Sequence, residues 1–361
     1  MPASPPHNQA LRARVRGWAH ALWPCLLCGV TPAMAAEPPH QRLPRLTCRA
    51  GYLDFEQLHG LPTVRAAIQQ SLAQNDPAAL AFLTERIPEV MGGDAQAALQ
   101  VLDWADTAPA PESAVLMAGL REASAVRDAR VAERLLTMAE QHASIDHRAQ
   151  ALQTLETQAR FGAPAQDRLM ALARSGTAPR GMSLLAVRTL GWVMKNDFQA
   201  GGSVEPYLTR LLTLARESED PHVRALAVEL TASLSMRLDE RTVKQLAWVL
   251  ENDADANVRE LAGLALSDGR DTRAVLNHFR AAFPGEQRLC VRWAILRYTL
   301  RAGGAAALHQ ARDYARQDRR FARDVADFQA LYDAGHVDFD RLWLNKRVYH
   351  RCPEDAEART P

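Results

Sequence analysis

The chain reads as an all-α solenoid, a stack of antiparallel helix pairs forming a superhelix. Three observations predict it. A phrase recurs, since Asp220-Pro221-His222-Val223-Arg224-Ala225-Leu226-Ala227 is followed 35 residues later by Asp255-Ala256-Asn257-Val258-Arg259-Glu260-Leu261-Ala262. Apolar residues return at helical spacing in one short stretch after another, with Gly and Pro punctuation between stretches. No stretch alternates with period two for long enough to demand a sheet.

The repeated phrase carries its own physical reading. Asp220 and Asp255 are good N-caps, and Pro221 stands where a first helical residue has no N–H to lose. Val223, Ala227, Leu230 and Leu234 fall on one helical face, as do Val258, Leu261, Ala262 and Ala265. Val243, Leu246, Ala247 and Leu250 make a stripe on the helix between them. The unit is therefore helix, short turn, helix. The small Ala227 and Ala262 let two helices approach closely. Arg224 and Arg259 point sideways toward the next unit, with Asp220, Asp253 or Asp255 as acidic partners.

Taken in order, residues 1–36 read as a secretory signal. Arg12, Arg14 and Arg16 form a positive start, residues 17–30 an apolar run, and Ala33-Met34-Ala35 a cleavage site, so the chain is expected to be periplasmic or secreted after cleavage near Ala35/Ala36. Cys25 and Cys28 fall inside that run and are read as discarded signal residues. Residues 37–61 form an extended N-terminal segment. The array occupies 62–351, with helices expected at about 62–74, 77–91, 94–106, 111–123, 127–142, 145–161, 164–174, 180–195, 204–217, 221–236, 239–251, 256–267, 271–282, 287–302, 304–317, 320–333 and 339–351. Residues 352–361 are acidic and polar and read as a flexible tail. An echo links residues 50–58 to 334–342, read as similar capped helix starts at the two ends. No transmembrane segment is expected once the signal is removed.

The phrase resembles the second helix of HEAT repeats, in particular the HEAT-like repeats of phycobilisome lyases. Weaker copies fall at His147-Arg148 with Ala151, at Met182 with Ala186, and at Val291-Arg292 with Ile295. With Val223 and Val258 these anchors are 35, 41, 35 and 33 residues apart. Periods of that length belong to helical arrays, which bury a continuous core only by stacking. The resemblance implies a HEAT-like fold and a habit of binding proteins. It transfers no catalytic residues and no cofactor.

Composition narrows the function classes. Net charge is +1, and beyond residue 36 the count is 40 basic against 42 acidic residues. A near-neutral chain has no general electrostatic reason to hold nucleic acid or anionic lipid. Arg312, Arg316, Arg320 and Arg323 form the densest basic cluster and a candidate anion patch, although interleaved Asp residues make salt-bridged surface its plainer reading. Tyr314 and Phe321 beside it read as core. Cys290, on an apolar helix, reads as a buried thiol, which leaves Cys48 and Cys352 as the candidate disulfide of an oxidising compartment. Asp253-Ala254-Asp255 imitates the opening of a calcium loop but lacks its Gly and its closing Glu, and reads as an inter-helix turn. His142 and His147 are five apart and do not share a face as metal ligands would. His336 with Asp338 and Asp340 is the one local seed for metal or acid–base chemistry.

No motif for catalysis is present, so the expected function is a non-enzymatic exported scaffold that binds a protein partner along its surface. Glu229, Ser233 and Arg237, with Glu260, Gly263 and Ser267, are the residues expected to line it. The alternatives are an enzyme or binding protein acting on a glycan or lipid, and an immunity or inhibitor protein for an exported toxin.

Overall fold

The computed structural model describes residues 57–175, 180–234 and 236–335. The chain divides into Met1–Thr47 and Cys48–Pro361, and every described residue lies in the second unit. Sixteen α-helices are found among the described residues: α1 Leu61–Ala73, α2 Pro77–Met91, α3 Ala95–Thr107, α4 Ala110–Glu122, α5 Ala129–Gln141, α6 Ile145–Leu155, α7 Ala163–Arg174, α8 Arg180–Gln199, α9 Glu205–Glu217, α10 Pro221–Ala232, α11 Glu240–Asn252, α12 Ala256–Leu266, α13 Thr272–Gly285, α14 Leu289–Gly303, α15 Leu308–Gln317 and α16 Ala322–Asp333. No strand occurs among them; a single parallel bridge joins Leu238 to Gly269. No described helix is long and apolar enough to cross a membrane.

Each odd-numbered helix packs on the even-numbered helix that follows it as an antiparallel pair, and each pair packs on the next. The odd-numbered helices form one layer and the even-numbered ones from α2 to α14 form the other. Packing within the even-numbered layer is the closer of the two. Local sequence explains why the helices start where they do. Asp76, Asp94, Asp128, Asp220, Asp239, Asp255 and Asp271 each accept a backbone N–H from the first turn. Each such cap stabilises its helix by about 1 kcal/mol. α6 stops at Leu155, six residues short of the expected end at 161, because Glu156, Thr157 and Gln158 turn on i→i−3 bonds instead. The expected helix at 339–351 lies outside the described residues.

All five repeat anchors face the core. His147, Met182, Val223, Val258 and Val291 are buried, as are Ala151, Ala186, Ala227, Ala262 and Ile295 four residues on. Small residues set the spacing of the even-numbered layer. A Cβ on Gly191 of α8 would stand 2.5 Å from the Leu230 side chain of α10. One on Gly263 of α12 would stand 3.2 Å from the Tyr298 ring of α14. Glycine in mid-helix costs about 1 kcal/mol in backbone entropy. Here that cost is offset by the close contact it permits with the half-buried Leu230 side chain.

Candidate interface on the second-helix layer

The repeat register identifies which even-numbered positions look away from the core. On α10 these are His222, Ala225, Leu226, Glu229 and Ser233, all exposed or half-buried. Arg237, just beyond, is also exposed. Adding the 35-residue period gives Asn257, Glu260, Leu261, Leu264 and Asp268 on and just after α12. Each of these is at least half-exposed or of intermediate burial.

The expected lining of α12 therefore needs correction. Gly263 is buried against Tyr298, and Ser267 is 2% exposed and accepts a hydrogen bond from Arg301. Those two positions match Val228 and Ala232 of α10 in the register, not Glu229 and Ser233. Helical phase was slipped by one residue between the two copies. Glu260 does reach the layer's surface, where it accepts a hydrogen bond from Arg297 at 3.1 Å.

Subtracting the 41-residue period from α10 places Gly181, Leu184, Leu185, Arg188 and Trp192 at the same positions of α8. Trp192 is 43% exposed, and the Lys195 ammonium lies 4.8 Å from its ring centroid. Half-buried Leu184 and Leu185 share its helix, and Leu226, Leu261 and Leu264 continue the strip on α10 and α12. The result is an apolar band with a large aromatic at one end and Lys195, Arg188, Glu229 and Glu260 around it. Exposed tryptophan within a polar rim has the chemistry of a binding hot spot. Trp248 is equally exposed but belongs to α11 in the other layer, where the Arg216 guanidinium lies over it.

The repeat-signature residues are structural. Arg224 sends Nε and Nη2 to the two carboxylate oxygens of Asp253, at 2.7 and 3.0 Å, and Nη1 to the carbonyls of Ser218 and Glu219. Asp253 holds the guanidinium pKa above its ordinary value. Arg259 repeats the pattern, with Nε and Nη2 on Glu286 at 2.7 and 2.9 Å and Nη1 on the carbonyls of Asp253 and Ala254. Arg292 donates to Asp318 at 3.0 Å. Each acid also receives the N–H two residues later, from Asp255, Arg288 and Arg320. Three rungs thus tie one pair to the next through bidentate or charge-assisted bonds. Of the three acids considered for Arg224, Asp253 is the acceptor. Asp220 and Asp255 cap their helices.

Three arginines of the basic cluster are each held by a separate acceptor. The Arg312 guanidinium is held by Gln329, that of Arg316 by Asp313, and that of Arg320 by Asp318 at 2.7 Å. Arg323 is exposed one turn further on. Tyr314 and Phe321 are core, packed on Phe283. His142 and His147 stack with ring centroids 4.3 Å apart, His142 Nε2 on the Asp106 carbonyl and His147 Nε2 on that of Ala108. No group of three metal-ligating side chains occurs among the described residues. His336, Asp338 and Asp340 lie outside them.

Cys290 is not the buried free thiol the sequence suggested. It is half-buried and disulfide-bonded. Cys48 and Cys352, the candidate pair, lie outside the described residues. Beside Cys290's helix turn, Arg297 is 1% exposed, with the Trp293 ring centroid 3.7 Å from its guanidinium carbon and Tyr298 and Glu260 adjacent. Burial pushes its pKa down to about 10.

Sequence reasoning missed a second polar structure. Asp197 on α8 is 3% exposed and accepts from Arg160 Nε at 2.9 Å and Tyr207 Oη at 3.3 Å. Burial raises the Tyr207 pKa. Asn196 donates to the carbonyls of Glu156 and Gln158, both at 2.8 Å, and Gln158 donates to that of Val126. The signal available was the polar run after Leu155, which interrupts the apolar period of α6. The chain matches no protein-family model, and no curated protein matches it.

Proposed function

We propose that the protein is an exported, non-enzymatic HEAT-like scaffold that docks a protein partner along its second-helix layer, with Trp192 as the anchor. The observation that carries this reading is Trp192 itself, 43% exposed on the same outward side of the layer as the half-buried Leu226 and Leu264. A solenoid presents such a strip as a continuous, slightly elastic surface. Lys195 over the ring favours a partner with an acidic group flanking an apolar segment.

The test is capture from the native cell envelope with the mature chain as bait, brief crosslinking and quantitative mass spectrometry. One protein should be recovered near stoichiometry. Trp192→Ala should reduce its recovery at least tenfold, in line with a hot-spot loss of 2 kcal/mol or roughly more. Trp248→Ala, an equally exposed tryptophan on the other layer, should leave recovery unchanged. Equal losses from both variants, or no protein enriched above the bare matrix, would overturn the reading.

A further inference from the structure

The longest helix of the second-helix layer outruns its neighbours. α8 has 20 residues, whereas α6 and α10 on either side have 11 and 12. All three begin two residues before their anchors, Met182, His147 and Val223, so the excess falls at the carboxyl-terminal end of α8. About eight residues project beyond the layer there, roughly 12 Å of helix. A projecting end forgoes the tertiary packing that stabilises most helices in proteins. Polar bonds on its inward side take the place of that packing. Asn196 donates to the Glu156 and Gln158 carbonyls, and Asp197 accepts from Arg160 Nε and Tyr207 Oη. The Gly202 N–H then closes on the Asp197 carbonyl at 2.8 Å, in a turn so tight that a Cβ on Gly202 would run into the Asp197 carboxylate.

The outward side of the same projection carries different chemistry. Four large apolar side chains are exposed among the described residues, and two of them, Trp192 and Phe198, stand here. Lys195 lies midway, three residues from each, at a spacing that brings side chains together on a helix. Its ammonium lies over the Trp192 ring, and it makes no ion pair with any described residue. The neighbouring guanidiniums are engaged, Arg188 with Glu156 at 2.7 Å and Arg160 with Asp197 at 2.9 Å. A single ammonium is thus set between two exposed rings whose helix positions are about 9 Å apart along the axis.

That arrangement selects among ligands. Phosphate and sulfate groups are held by several donors or by the fork of a guanidinium, and both nearby guanidiniums are occupied. One carboxylate matches one ammonium. Apolar groups on either side of that carboxylate would cover the two rings and exclude water, which strengthens the charge pair between them. An α-helix offers this set when an acidic residue stands three residues from an apolar one in each direction, the spacing of Trp192, Lys195 and Phe198 themselves.

We propose, resting on the docking reading above, that the projecting end of α8 receives a partner helix bearing an apolar–acidic–apolar triplet at three-residue spacing. The partner's carboxylate sits on Lys195 and its apolar groups on Trp192 and Phe198. Phe198 is then a second anchor beside Trp192, and the bonds of Asn196 and Asp197 hold the seat in place.

The experiment uses the full chain labelled with fluorotryptophan and read by fluorine NMR. The Trp192 resonance is identified by its loss in Trp192→Phe. The probe is an alanine-based helical peptide carrying Leu-x-x-Glu-x-x-Leu, and its control carries Gln in place of the Glu. The Trp192 resonance should shift saturably with the Glu peptide, at about tenfold lower concentration than with the Gln peptide. Lys195→Met, which keeps the aliphatic stem and removes the charge, should erase that preference, and Lys195→Arg should keep it. Phe198→Ala should weaken binding of the Glu peptide about tenfold. An unmoved Trp192 resonance, equal affinity for the two peptides, or a preference that survives Lys195→Met would overturn the proposal. The peptide comparison on the native chain needs no variant, so a substitution that misfolds leaves that test standing. A native partner captured through Trp192 by a chain that ignores the Glu peptide would overturn this proposal and leave the docking reading intact. A clear peptide preference with no partner captured would do the reverse.

Discussion

Two stretches of the array tie neighbouring helix pairs together by different chemistry. From α9 to α14 the link is the arginine ladder, Arg224 to Asp253 and Arg259 to Glu286, each pair with side chains no more than 13% exposed. Between α6 and α9 the link is a network of amides, carbonyls and one buried carboxylate around Asn196, Gln158 and Asp197. The reason for the change is visible in the register. Ser183 stands at the arginine position of α8, one residue after Met182, and Ser218 stands where the acid would be, two residues before the Asp220 cap. Both halves of that rung are missing together. Arg188 instead turns back to Glu156 at 2.7 Å. A repeat can thus lose its signature and keep its contact, provided polar groups elsewhere take over the backbone carbonyls.

The largest effect is expected from breaking a rung. Arg224→Ala leaves the Asp253 carboxylate, 5% exposed, without its cation and frees the Ser218 and Glu219 carbonyls. Stranding one member of a nearly buried pair costs about 3 kcal/mol, a drop readable as a lower urea midpoint. Arg224→Lys should recover only part of it, because an ammonium cannot bridge both carboxylate oxygens and two carbonyls in the planar fork of a guanidinium. Full recovery by Lys would mean the rung is a point-charge contact.

In the α6–α9 stretch the matching test is Asn196→Ala, which removes the donor shared by the Glu156 and Gln158 carbonyls. Two under-satisfied carbonyls cost about 2 kcal/mol, less than the rung because neither group is charged. Equal losses from Arg224→Ala and Asn196→Ala would erase the contrast between the stretches.

A pH-dependent difference is smaller. Hydrogen bonding from Arg320, then the nearby Arg292 charge, hold the Asp318 carboxyl below its ordinary pKa of 3.8. A depressed carboxyl contributes stability above its unfolded pKa and loses it as pH falls through the folded one. The native chain should therefore lose stability below about pH 4 more steeply than Asp318→Asn, while the two run parallel from pH 5 to 8. Urea midpoints measured at pH 3 and pH 6 check this. Parallel curves down to pH 3 would show that Asp318 gains nothing from its arginines.

The helix pairs were legible in the sequence because each is a local object. Asp caps, breakers and a 3.6-residue apolar period sit within about 15 residues of one another, and they place the sixteen described helices near their observed bounds. The rungs were half legible, since Arg224 was assigned a sideways acid and Asp253 was among three choices. The Asn196–Gln158–Asp197 network was not. Its members are brought together from residues 126, 156–161, 196–197 and 207, and nothing periodic connects them. Gly263 and Ser267 were misplaced for a different reason. Two copies of a repeat share a register that outweighs any single helical wheel. Trp192 could be recovered by the same device, because subtracting 41 from Ser233 lands on it.

The missing rung can also be put back. Ser183 is 6% exposed and Ser218 is half-buried, so the site is enclosed much as Arg224 and Asp253 are. Ser183→Arg alone places a guanidinium with no acid to receive it and should destabilise the chain. Adding Ser218→Asp should return at least about 1 kcal/mol of that loss, a coupling measured by the double-mutant cycle of the two substitutions. The ladder would then run unbroken from α8 to α14. Coupling near zero would mean that an arginine and an acid in the right register do not suffice, and that the carbonyls receiving Nη1 of Arg224 and Arg259 are as necessary to a rung as its charges.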